Sequence, residues 1–238
     1  MIWRGLCFFA ALLLPVQGNV FSTPHKLAAL FFKEEEVARQ LTLLAKKYNY
    51  NSVVLRHYLF GIERRNMELA PLVNQSGREI LHQHMDQILE KLVGNPVHVL
   101  CLLDRLVLMT PQLLQEEFGL SAESVENFIR LLGGEKELPE KSDLDAAIVA
   151  LSRIQFVYKL DPIDISQGLF LGTKSEARLS RRQMVMIANS RYSGEQPQRP
   201  HLLKEYALAL EWAEASLNLE PDTTRLLPPA NIAAGKIT

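Results

Sequence analysis

The tripeptide His84-Met-Asp86 is the run in this 238-residue chain that most closely matches a metal chemistry. It supplies the His-x-Asp half of a two-histidine, one-carboxylate iron site, in which open positions remain for oxygen and substrate. Such a site is built on an extended strand, where residues i and i+2 share a face. Here the tripeptide falls among Ile80, Met85, Ile88 and Leu92, in a helical context. On a helix, i and i+2 point about 200° apart, so His84 and Asp86 cannot close on one ion. His82 and Asp86 share a face, but two groups do not make a metal site. His201, the one histidine beyond His98, also lies in a helical context, with no jelly-roll strand pattern around it. No nucleophile–His–acid arrangement, glycine-rich phosphate loop or CxxC motif is present. The expectation is a chain with no catalytic residues, no metal ligands and no cofactor of its own, acting as a binding or assembly module.

Helix punctuation recurs along the chain, and strand signals are nearly absent. Thr23-Pro24, Asn95-Pro96, Thr110-Pro111 and Asp161-Pro162 each place a capping side chain before a proline at the first helical position. Ser76-Gly-Arg-Glu79 reads as a capping box, Ser142-Asp-Leu-Asp145 nearly so, and Gly94, Gly119, Gly133-Gly134 and Gly168 as stops. These marks predict helices at about 24–47, 52–70, 77–93, 96–108, 111–118, 122–132, 143–159, 180–192 and 201–219. The fold class is therefore all-α, a helical bundle or solenoid joined by short loops. Residues 134–144, charged and containing Pro139, read as the linker between an N-terminal and a C-terminal helical unit.

Within the first helix, Leu27, Leu30, Glu34, Val37, Leu41 and Leu44 alternate three- and four-residue steps. That is a heptad seam with one polar position, able to set the register of a short coiled coil between chains. The same stripe could instead face the chain's own core. Cys101, in Val97-His-Val-Leu-Cys-Leu-Leu103, reads as a buried small hydrophobe rather than a reactive thiol.

The first residues break the globular pattern. Arg4, the apolar run Leu6–Val16 and the small residues at Val16-Gln-Gly18 form a secretory signal peptide over residues 1–18. The run is too short for a bilayer of roughly 30 Å, and no later stretch is expected to span one. Cys7 leaves with the signal, so a disulfide framework is excluded. Asn74-Gln-Ser76 is an N-glycosylation sequon, meaningful in the secretory lumen. Lys-Ile-Thr238 is not a lumenal retrieval signal, so retention would fall to a partner. The net charge of −1, with no basic block, argues against nucleic acid. After Pro221 the chain loses periodicity, and 222–238 reads as a disordered tail.

Three stretches carry a family likeness. They are Leu92-Val-Gly-Asn-Pro-Val-His-Val-Leu-Cys-Leu-Leu-Asp-Arg-Leu106; Leu144-Asp-Ala-Ala-Ile-Val-Ala-Leu-Ser-Arg-Ile-Gln-Phe-Val-Tyr-Lys-Leu160 with Gly168 and Gly172; and Leu179–Tyr192 with Ala207–Pro221. Together they resemble the α subunit of collagen prolyl 4-hydroxylase. The first is similar to its N-terminal dimerisation domain, the second to its Ala-Leu-x-Arg-Leu-Gln-x-x-Tyr-x-Leu-Asp stretch, and the third to one tetratricopeptide repeat of its peptide-substrate-binding domain. Leu27–Leu41 suits the family's N-terminal coiled-coil helix, while residues 48–75 find no place in the comparison. An insertion around Gln196-Pro-Gln-Arg-Pro200 lengthens the loop within the repeat. The family's second repeat and its dioxygenase domain have no counterpart.

The resemblance implies a dimerisation domain at 19–134 and a partial tetratricopeptide-like domain at 135–221. It implies a homo- or heterodimer of α-subunit-like chains in the endoplasmic reticulum lumen or secreted, assembled through Leu27, Leu30, Glu34, Val37, Leu41 and Leu44. Protein disulfide isomerase and proline-rich procollagen peptides are its implied partners. Polyproline II segments dock on aromatic-lined grooves, for which Tyr192 and Tyr206 are the available rings. The alternative is that both pack the repeat, as Trp212 is expected to. The family's activity is procollagen-proline 4-dioxygenase, using Fe(II), 2-oxoglutarate and ascorbate; with its catalytic domain missing, none is expected in this chain. Two alternatives stand beside a short, catalytically silent relative. One is the N-terminal part of a complete enzyme; the other is a secreted helical carrier of small apolar ligands.

Overall fold

The computed structural model describes residues 24–74, 90–133, 138–192 and 202–219. The signal peptide, the 222–238 tail, His84-Met-Asp86 with its capping box, and the Gln196–Pro200 insertion lie outside the described residues. So do 77–89 of the expected 77–93 helix, whose last turn is helical at 90–93.

The described fold is all-α. In order come α1 (Pro24–Lys47), α2 (Val53–Asn74), α3 (Pro96–Glu117), α4 (Ala122–Gly133), α5 (Lys141–Tyr158), α6 (Pro162–Ser166), β1 (Leu169–Phe170), β2 (Thr173–Lys174), α7 (Arg181–Tyr192) and α8 (Leu202–Asn218). Two expected caps are in place: Asn95 Oδ1 accepts from Val97 N at 2.9 Å, and Asp161 Oδ1 from Ile163 N at 2.7 Å. The cap before α5 is displaced from Ser142. Glu140 is the N-cap, its N–H donating to Asp143 Oδ2 at 2.8 Å, so Lys141–Leu144 belong to the helix and not to a linker.

The expected break at Thr110-Pro111 does not occur. One helix continues through it, with π-helical turns at Arg105–Met109 and Leu113–Glu117. The Thr110 N–H reaches back five residues to the Arg105 carbonyl, and Thr110 Oγ1 donates to the same oxygen at 2.9 Å. A widened turn accommodates a proline ring that a regular α-turn would exclude. The merged α3 is, contrary to expectation, long and apolar enough to cross a membrane by length and composition, but most of it is buried inside the molecule. It is the central core helix, in contact with α1, α4 and α5.

Core residues from both expected units form one cluster, from Leu27 through Leu102 and Leu151 to Trp212. α7 and α8 pack on each other, and α7 also rests on α5. The region that sequence comparison could not place becomes α2, whose Leu55, Tyr58 and Ile62 are core. The small hairpin was not anticipated. Leu171 and Gly172 turn it with φ of 47° and 79°, as a two-residue turn between twisted strands requires. Gly168 has no substitute: at φ 81°, an added Cβ would lie 2.4 Å from the Ala177 carbonyl oxygen.

Candidate functional site

The Leu27–Leu41 stripe turns inward. Leu27, Leu30, Val37 and Leu41 are buried and Leu44 partly so, all within the chain's own core. Of the two readings of the heptad, the intrachain one describes where these side chains lie. The expected intermolecular seam cannot be built from side chains already covered by the same molecule.

Glu34, at the polar heptad position, is wholly buried and joins three helices. Arg65 of α2 donates Nη1 to Glu34 Oε2, and Arg105 of α3 donates Nε to Glu34 Oε1 at 2.5 Å. Arg65 also meets Glu35 at 3.1 Å and lies over the Phe31 ring at 5.2 Å. One buried carboxylate thus serves two guanidiniums, which satisfies the requirement that a desolvated charge be paired. Burial alone would lower the Arg105 pKa, but the charge and hydrogen bond of Glu34 outweigh it and raise the value. The adjacent Tyr58 phenol is pushed above its ordinary range, mainly by burial and then by the Glu34 charge.

Two further polar knots close a cleft beside this hub. Asp104, buried on α3, accepts from Arg182 Nη2 at 2.7 Å on each oxygen and from Gln183 Nε2 at 2.8 Å. Glu68 of α2 meets His98 Nε2 at 3.1 Å and accepts the Glu176 N–H at 2.9 Å. α2, α3 and the 176–183 segment therefore enclose a cavity of about 340 Å³. Cys101 lines it, buried, with Sγ 3.4 Å from the Arg178 carbonyl oxygen; burial pushes its thiol up to about 11, consistent with the small-hydrophobe reading.

The expected peptide-binding residues lie apart from this cleft. Tyr206 is 43% exposed on α8, where Leu210 and Leu217 are exposed as well. Tyr192 ends α7 and Asn74 ends α2, with both side chains outside the described ones. Trp212 is fully buried in the core. No group of three or more metal-capable side chains occurs among the described residues.

Sequence reading missed Arg65, Asp104, Arg105 and Arg182. Asp104-Arg105 did carry a signal, because a charged pair inside the apolar run Val97–Met109 must find partners if that run is core. Which partners it finds is a matter of tertiary contact.

The family described as "Prolyl 4-Hydroxylase alpha-subunit, N-terminal region" matches residues 24–172. The matched span includes the Glu34 hub and the hairpin's first strand but ends before α7 and α8, and so before Tyr192 and Tyr206. A curated relative, "Prolyl 4-hydroxylase subunit alpha-2" of Caenorhabditis elegans, is 26% identical over 146 residues. That alignment covers 58% of this chain and 25% of the relative. No solved structure matches.

Proposed function

Given that the chain belongs to the family of prolyl 4-hydroxylase α-subunit N-terminal regions, we propose that it is a non-catalytic module of α-subunit assembly. The observation that carries this reading is a second heptad stripe on α1. Ala29, Phe32, Glu36, Arg39, Leu43 and Lys46 repeat the three–four spacing on the face opposite the buried one. Phe32 is 60% and Leu43 48% exposed, an unusual display for a helix whose core side is already complete.

The stripe is complementary to its own reverse. Two copies of α1 crossing antiparallel, with the two-fold between Glu36 and Arg39, bring Phe32 onto Leu43 and Glu36 onto Arg39 of the other copy. An isologous dimer needs this correspondence, in which each residue's partner also finds it. Glu36 and Arg39 already pair within the helix at 2.6 and 2.8 Å, and the exchange between copies conserves those charges.

Sedimentation equilibrium of the purified chain tests the reading. F32E combined with L43E converts a dimer to a monomer; E36R weakens the dimer, and adding R39E restores it. A wild-type chain that is monomeric at every concentration, or a dimer indifferent to F32E/L43E, overturns it.

The apolar run at Leu6–Val16 and the Asn74 sequon support action in the secretory lumen, where procollagen chains and protein disulfide isomerase are candidate partners. The exposed Tyr206 and Leu210 support weak docking of proline-rich segments on α8. The 25% coverage of the relative supports a second reading, in which these residues are the assembly region of a longer dioxygenase subunit. Sequencing the 3′ end of the transcript separates that reading from a short, self-contained chain.

A further inference from the structure

We infer that the cleft between α2, α3 and the 176–183 segment binds a small organic carboxylate through the terminal amino groups of Arg105. The Arg105 side chain is nine-tenths buried and lines the cavity. Its Nε is engaged by Glu34, while Nη1 and Nη2 meet no acceptor among the described residues. The guanidinium lines the cavity with Nη1 beside Gly61, and an anion is the chemistry that pairs with donors placed there. The free edge of the fork matches the two oxygens of a carboxylate.

The surroundings agree in charge and in shape. Five arginines line the cleft, against the two carboxylates of Asp104 and Glu176. Asp104 is turned to Arg182 and Gln183, and Glu34 divides a single charge between Arg65 and Arg105. Arg64 lies 5.4 Å over the Phe60 ring and is only loosely paired, 3.5 Å from Glu176. Val54, Phe60, Met109 and Leu179 supply an apolar wall for the body of the ligand. A volume of about 340 Å³ is within the range of small-molecule sites.

Gly61 is the device that lets the guanidinium lie where it does. A Cβ at this position would come 2.8 Å from Arg105 Nη1, so only glycine allows the fork to rest against α2. In mid-helix, alanine is otherwise the better residue. G61A should therefore disturb the fork while leaving the helix intact.

The test is calorimetric titration of the full chain with benzoate, with neutral benzamide as its isostere and inorganic phosphate as a second anion. Benzoate should bind at least about tenfold more tightly than benzamide, a difference of about 1.4 kcal/mol. G61A and R105M should each weaken benzoate about tenfold or more, while R130M on the exposed side of α4 leaves it unchanged. If R105M does not fold, as judged by circular dichroism, G61A alone decides. Equal binding of benzoate and benzamide, benzoate affinity unchanged in G61A, or binding of phosphate but not benzoate would each overturn the assignment.

Discussion

Arg105 and Glu34 meet at 2.5 Å across 71 positions of sequence, joining the central helix to the first one inside the core. Because Arg65 occupies the other oxygen, Glu34 holds three helices together with one charge. Removing it takes the carboxylate from the buried Arg105 and leaves Arg65 with the Glu35 carboxylate alone. E34A should lower unfolding free energy by about 3–5 kcal/mol in urea titrations. Were Glu34 a register residue at a dimer seam, the substitution would change oligomeric state and leave monomer stability nearly untouched.

The two faces of α1 should respond differently to truncation. L41A, at a fully buried position, should cost about 2–5 kcal/mol through lost contacts and a residual cavity. F32A, on the exposed face, should stay within about 0.5 kcal/mol in monomer stability. Denaturant melts of the two variants at low protein concentration make the comparison.

Glu68 predicts part of the acid limb of stability. Burial on its own would raise its pKa, but the hydrogen bonds from His98 and the Glu176 N–H bring it below the ordinary 4.5. A depressed carboxyl contributes stability that is present above 4.5 and lost as pH falls through the folded value. E68Q should therefore flatten the loss of stability below pH 4.5. Asp143 acts in the opposite sense: burial raises its pKa above 3.8, so its contribution is present below 3.8 and lost as pH rises through the folded value. D143N should remove that penalty, and stability curves against pH read both signs.

Cys101 should be inert while the fold is intact. With its thiol pushed up to about 11 by burial, little thiolate exists at pH 8. In a C7S background, reaction with a thiol reagent should be at least about a hundredfold slower than for free cysteine. It should reach the free rate in denaturant. Rapid labelling of the native protein would contradict the buried placement.

Gly168 offers a local test of the hairpin that carries the chain toward the cleft. G168A places a methyl against the Ala177 and Ser175 carbonyl oxygens at a positive φ. The loss should exceed that of G172A, where nothing lies near the added methyl and the cost of about 1–2 kcal/mol is backbone strain alone. Thermal melts of the two variants separate the clash from the strain.

Much of the helical architecture is local and was legible. Asn95 and Asp161 cap their own helices within two residues, so composition at the cap reveals the boundary. Thr110-Pro111 has the same local signature and yet lies inside a helix, because a π turn held by the Arg105 carbonyl accommodates the proline ring. Local grammar proposes a stop there, and the packing of α3 through the core keeps the helix running.

The sequence by itself determined the all-α class, caps such as Asn95 and Asp161, and the heptad spacing of α1. It could not say which side of α1 faces inward, because both stripes repeat at the same interval and only the arrival of α2, α3 and α4 covers one of them. Tertiary structure decided that, and with it the partners of Glu34, the opening of the Arg105 fork and the cleft. Periodicity is a property of neighbours along the chain, whereas desolvation and Coulomb attraction depend on separation in space, which a sequence separation of 71 does not record.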